Sequence, residues 1–224
     1  MTPQQHLRLQ QVFDSQFPVG AFAFSGGLET YAQLADDLTA RFDKEALAEL
    51  LLHEIELGWG RLDVAAACLA WRHHLEPDKL DRLGREVEAF KVIPGQRLTS
   101  LRLGRRWIAM ARRLFPRQMA RLRLTRPHQS VVCGAIAATL DLPETGSLLA
   151  FAQSSLAASL SAATRAMALS PEQAQEIVIG LQPALIDAVE RVRRDPEASL
   201  FAATPALDIR AHQQYLLHTR LFQS

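Results

Sequence analysis

Apolar residues recur at helical spacing along this 224-residue chain, and no segment alternates apolar and polar residues as a half-buried strand would. The clearest case follows Ser170. That serine is placed as an N-cap, Pro171 at the first helical position, and Gln173 where its amide closes a capping box. Ile177, Val178, Leu181, Leu185, Val189 and Val192 then fall on one face. Arg191, Arg193 and Arg194 suit the dipole in the last turn, and Pro196 marks the end. Asp43 caps another helix, with Phe42 and Leu47 as a hydrophobic staple and Leu47, Leu51 and Ile55 as its stripe. Gly58 and Gly60 read as its breakers, and the next helix is expected from about Asp63 to His73.

A basic helix is expected over about Arg97 to Leu114, turning Leu101, Gly104, Ile108, Ala111 and Phe115 to the core. Glycine in mid-helix costs about 1 kcal/mol against alanine. Gly104 therefore points to a second helix backbone packed closely there. The Ala-, Ser- and Leu-rich stretches 131–140 and 146–169 suit tightly packed central helices. Short turns at Glu76-Pro77-Asp78, Ile93-Pro94-Gly95 and Leu142-Pro143-Glu144 leave no interdomain linker. The expectation is an all-α fold: one domain over residues 1–224, built as a bundle of eight to ten helices.

The formal net charge is only +1, but its distribution is uneven. Residues 89–140 contain no Asp or Glu, while they hold Lys91 and ten arginines. That stretch is either a solvated face in an Arg-rich chain or a docking surface for something acidic. Cys68 and Cys133 sit in Ala/Val-rich runs as small core residues, with no CxxC to suggest a metal or a disulfide framework. The first 16 residues are polar and amphipathic rather than a signal peptide. No uncharged apolar run approaches the roughly 18–20 residues of a membrane span. A cytoplasmic protein is the expectation.

Catalytic signatures are missing: no P-loop, no HExxH and no GxSxG occur. His73 and His74 are adjacent, hence about 100° apart on a helix and poorly placed to share a metal. No catalytic, cofactor-binding or metal-binding residue is expected, and the chain reads as a binder rather than an enzyme. Two other classes stay on the page. One is a nucleic-acid-binding helical protein using the arginines of 91–126. The other is an enzyme with His73 or His128 as general base, for which the sequence offers no partner group.

Two segments read as neither ordinary core nor ordinary surface. In Phe17-Pro18-Val19-Gly20-Ala21-Phe22-Ala23-Phe24-Ser25-Gly26-Gly27-Leu28-Glu29, three glycines and a proline cluster with phenylalanines. Gly20 permits a positive φ or a close backbone approach, and Ser25 can cap a helix carrying Glu29 in its first turns. This is either a loop that plugs the bundle or a shaped loop for a partner. The C-terminal segment runs through Pro205, Asp208 and Ile209 to Arg220-Leu221-Phe222. Apolar residues so near a terminus either fold back on the bundle or are buried by another chain.

Together these segments resemble the UreF family of urease accessory proteins. Pro18-Val19-Gly20, Phe22 and Ser25-Gly26-Gly27-Leu28-Glu29 look like its N-terminal motif. Pro205, Asp208-Ile209 and Arg220-Leu221-Phe222 look like its C-terminal one, and Arg97, Ser100 and Gly104 fit its middle helix. The chain departs from the family pattern at Gln214-Tyr215, where a His-Glu pair is usual, at Ala168-Leu169-Ser170-Pro171, and at Gly95. The resemblance implies a helical, non-catalytic urease-maturation protein without a cofactor of its own. It would form a homodimer, bind UreD/UreH largely through residues 201–224, and recruit and regulate the GTPase UreG on apo-urease, with nickel and GTP handled by those partners. It also implies partner-binding positions at Pro18, Gly20, Phe22, Ser25, Gly27, Glu29, Tyr31, Arg97, Pro205, Asp208, Ile209, Arg220, Leu221 and Phe222.

Overall fold

Prolines and capping side chains fix most of the helix starts. Thr2 and Ser170 each close a capping box, and Asp43 Oδ1 accepts from the Ala46 amide at 3.0 Å. Prolines occupy the first turn of six helices, where a missing N–H leaves no bond unmade. The computed structural model describes residues 1–14, 16–20, 26–34, 42–217 and 221–222. Among them the chain is all-α, with no strand. In order the helices are α1 (Pro3–Phe13), α2 (Leu28–Leu34), α3 (Lys44–Leu57), α4 (Trp59–Arg72), α5 (Pro77–Phe90) and α6 (Pro94–Leu114). There follow α7 (Pro116–Met119), α8 (Gln129–Thr139), α9 (Glu144–Ala166), α10 (Pro171–Arg194) and α11 (Pro205–Gln213), with a 3-10 turn at Gln214–Leu216. Two of them, α2 and α7, are 7 and 4 residues long, and the other nine have nine residues or more.

The centre is the α4–α8 pair. Every residue from Val64 to Ala70 is buried, and so is every residue from Ser130 to Ala137. Small side chains let the two backbones nearly touch: a Cβ on Gly134 would overlap the Ala67 carbonyl oxygen. Helices α6, α9 and α5 pack on this pair, and α10 spans α3, α4 and α9. One apolar cluster runs from Val12 in α1 to Phe222 near the end of the chain. Both cysteines are buried and unpaired, and burial pushes both thiols up, Cys68 to about 11.

Three local expectations change. Helix α4 starts at Trp59, not Asp63, because Gly60 is no breaker. It sits in the first turn of α4, where a Cβ would overlap the Ile55 carbonyl oxygen, so its lack of a side chain permits a tight α3–α4 corner. Helix α6 starts at Pro94, and its buried face is rotated toward Ser100, Leu103, Gly104, Trp107, Ile108 and Ala111, leaving Leu101 and Phe115 only half-buried. Trp107 decides that rotation, because Phe13 and Phe17 close on its ring with centroids 6.0 Å away in both cases. Gly104 does meet a backbone, that of Pro127 and Gln129 leading into α8.

Candidate protein-docking site

The 26–29 end of the first unusual segment packs against the C-terminal one, nearly 200 residues away. Gly26 and Gly27 take φ of 60° and 99°, a region open to glycine, and turn the chain into α2. A side chain on Gly27 would press on the Ala211 backbone, with Cβ 3.1 Å from its nitrogen, so α11 rests directly on this turn. One residue into α2, Glu29 is completely buried. Its carboxylate accepts from the Leu221 amide at 2.6 Å, from Gln214 Nε2 at 3.1 Å and from Gln33 Nε2 at 3.2 Å. A buried carboxylate with three donors is compensated for lost hydration. Glu29 is therefore the clasp that closes the end of the chain onto its beginning.

Cation–π contacts reinforce the clasp. The Arg210 guanidinium lies 5.5 Å from the Tyr31 ring centroid, and Tyr31 stacks on Phe42 at 5.3 Å. Phe222 is 4% exposed, joins the core, and carries the Arg165 guanidinium 4.6 Å above its ring. Its neighbour Leu221 is 66% exposed, as are Ile209 at 59% and Leu216 at 65%. The tail thus has two faces: Leu207, Gln214 and Phe222 hold it to the bundle, and Ile209, Leu216 and Leu221 offer apolar surface outward. Single exposed apolar residues are ordinary, and here three fall on one short segment.

Beneath α11 lies an acidic seat that sequence reading missed. Glu54 of α3 and Asp208 of α11 line a cavity of about 250 Å³ together with Thr204 and the Lys91–Asp63 ion pair, whose charged atoms are 2.9 Å apart. Glu54 Oε1 is shut off from solvent and has no hydrogen-bond partner among the described residues. Burial, then the nearby Asp208 carboxyl, push Glu54 up to about 8, against the pull of Lys91. Burial raises Asp208 as well. Glu54 is therefore largely protonated near neutral pH, which removes the repulsion that would otherwise drive Asp208 and α11 away. Among the described residues, no group of three or more His, Cys, Asp or Glu is placed to hold a metal ion.

The remaining expected positions sit elsewhere. Pro18 is exposed, and Gly20 has φ 78° with no room for a side chain beside Arg106, whose Nη1 donates to the Val19 carbonyl at 3.3 Å. That loop is anchored on α6, not on the tail. Arg97 donates through Nε to the Lys91 carbonyl at 3.0 Å, so it staples the α5–α6 turn. Ser100 accepts from the Gln129 amide and lies 3.2 Å from Nδ1 of His128, which is wholly buried. Burial first, with Lys91 adding to it, lowers His128 to about 4, so this pair is a neutral joint between α6 and α8. His73 lies beside Glu76 at 2.8 Å on the rim of the α4–α5 turn. Phe22, Ser25 and Arg220 lie outside the described residues.

Pro205 begins α11, and Gly27, Glu29, Tyr31, Asp208, Ile209, Leu221 and Phe222 gather around it. No local signal marked Glu54 or Gln214 as belonging to this group. The UreF family profile matches residues 42–182. A urease accessory protein UreF from Haemophilus influenzae (strain 86-028NP) is 29% identical over 96% of this chain and 94% of its own length. One from Paracoccus denitrificans (strain Pd 1222) is 30% identical over 100% and 99%, and one from Geobacillus kaustophilus (strain HTA426) is 27% identical over 100% of both. With the profile covering more than half of the chain and these relatives aligning almost end to end, the chain belongs to the UreF family of urease accessory proteins.

Proposed function

We propose that this chain is a non-catalytic scaffold of urease maturation. It works as a homodimer, binds UreD/UreH largely through its C-terminal segment, and recruits and regulates the GTPase UreG on apo-urease so that nickel reaches the urease active site. Nickel and GTP are carried by those partners. Family membership supports the role in urease maturation. The observation that supports the docking role of the tail is its outward apolar face of Ile209, Leu216 and Leu221, held in place from within by Glu29.

Deleting everything from Pro205 onward would also strip Leu207 and Phe222 from the interior and uncover Glu29. Surface substitution separates docking from folding. The triple change Ile209→Ser, Leu216→Ser and Leu221→Ser should leave thermal stability almost unchanged and weaken co-purification with UreD/UreH by at least about tenfold, since each deletes an exposed apolar contact. Wild-type affinity in the triple variant would remove the tail from the interface.

A further inference from the structure

The fold pairs only part of the acid-free stretch with carboxylates from elsewhere: Lys91 with Asp63 and Arg126 with Glu88. Helix α5 pairs its arginines internally, with Arg82 Nε on Glu86 at 2.9 Å and Arg85 on Asp81. Helix α6 contains no Asp or Glu and so has no such internal pairs. At 100° per residue, its positions 102, 105, 106, 112 and 113 fall within an arc of about 120°. That arc is opposite the buried face of Leu103, Trp107 and Ala111. Arg112, Arg113, Arg117 and Arg121 are exposed at the end of α6 and along the α7 turn. Among the described residues, none of these four makes an ion pair, a side-chain hydrogen bond or a cation–π contact, so no described carboxylate or carbonyl offsets their charge. The α6 dipole favours Arg112 and Arg113 in its last turn but does nothing for Arg121.

We propose that this arginine ridge is a second docking surface of the chain, apart from the tail, and that it takes an acidic protein surface. The partner belongs to the urease-maturation assembly, and the inference rests on that reading. Uncompensated like charges this close repel one another, and a partner carboxylate surface would relieve the repulsion while orienting the complex. The surroundings suit protein rather than nucleic acid. The α6 outer arc carries exposed Leu98 and Ala109 between its arginines, and its aromatic Trp107 points into the core. Phe115 at the end of α6 is half-buried with the Arg8 guanidinium 5.8 Å from its ring centroid, so among the described residues this face presents no fully exposed aromatic ring for base stacking, while arginine beside apolar side chains is the composition of protein interfaces. Arg106 ties the Val19–Gly20 loop to the same helix, so that loop borders the ridge.

The test uses the full chain with Arg112, Arg113, Arg117 and Arg121 all changed to Gln, and a second variant with all four changed to Lys. Each is expressed in a urease-positive bacterium lacking its own copy of the gene. Urease activity and co-purification of apo-urease with the chain are measured at low and high salt. The Gln variant should retain about tenfold less complex at low salt, lose most of the salt dependence and melt as the wild type does. The Lys variant should behave like wild type. A Gln variant that activates and co-purifies like wild type overturns the ridge while leaving the urease reading intact. Failure of the wild type itself to restore urease activity sinks both. A fluorescent DNA duplex of about 20 base pairs is titrated in parallel. Tight binding of DNA that the Gln variant loses, with co-purification unaffected, would also overturn the proposal. If the fourfold change lowers the yield of folded chain, Arg113→Gln with Arg117→Gln repeats the measurement.

Discussion

Glu29 accepts through one carboxylate oxygen from the Leu221 amide and Gln33, and through the other from Gln214. Its replacement by Ala removes the acceptor that the Leu221 N–H and the Gln214 amide share, at about 1–3 kcal/mol for a donor left unsatisfied. Replacement by Gln keeps one acceptor for Leu221, and rotation of the Gln214 amide can present its oxygen to the new NH2 group. Glu29→Ala should therefore free the tail while Glu29→Gln largely holds it. Hydrogen exchange at the Leu221 amide distinguishes them: protection should collapse in the Ala variant and persist in the Gln variant. Equal protection in both would mean that Phe222, not Glu29, fastens the tail. The Gln214 amide thus serves the clasp.

At the scale of helices, glycine carries opposite meanings at two positions. Gly134→Ala forces a Cβ into the Ala67 carbonyl and must part α4 from α8, so it should destabilise by about 1–3 kcal/mol despite the better helix propensity of alanine. Gly180→Ala in α10 meets nothing within 4 Å and should stabilise by up to about 1 kcal/mol. Urea midpoints moving in the same direction for both would contradict this packing. The same contrast explains what was legible in the sequence. The Ser170 capping box, the Asp43 cap and the α10 stripe were readable because each is written in neighbouring residues. Gly104 was readable as a close approach because a mid-helix glycine needs a reason. Gly60 reads from sequence as a breaker instead, because its close contact with the preceding helix leaves no local trace. The rotation of α6 was missed because Leu101 and Leu103 both flank the stripe, and only the packing of Phe13 and Phe17 on Trp107 chooses between them. The clasp was half legible: both motifs stood out, yet nothing in either names Glu29 as the acceptor for Gln214 across 185 positions.

Across the whole molecule, two buried titratable groups set opposed pH dependences. Glu54 is raised from 4.5 to about 8 by burial and then by Asp208, so the folded chain keeps a proton that the unfolded chain releases. Its contribution is full below the unfolded value and is lost as pH rises through about 8. His128 is lowered from 6.5 to about 4, so its contribution is full above the unfolded value and is lost as pH falls through about 4. Between about 4.5 and 6.5 the two slopes oppose and roughly cancel. From 6.5 to 8 the His128 contribution is complete while that of Glu54 still changes, and one proton is worth about 1.4 kcal/mol per pH unit. The chain should lose about 2 kcal/mol over that interval. The buried thiols of Cys68 and Cys133 add a further loss only at higher pH, where unfolded cysteines ionise. Urea unfolding at pH 6.5 and pH 8 measures the change, and in Glu54→Gln it should vanish, because the amide keeps the neutral form at both values. A slope that survives in Glu54→Gln would place the titrating group elsewhere. Because Glu54 faces Asp208, the loss should appear first at α11, with exchange of its amides accelerating between these pH values beyond the intrinsic rise while those of α4 and α8 follow only the intrinsic rate.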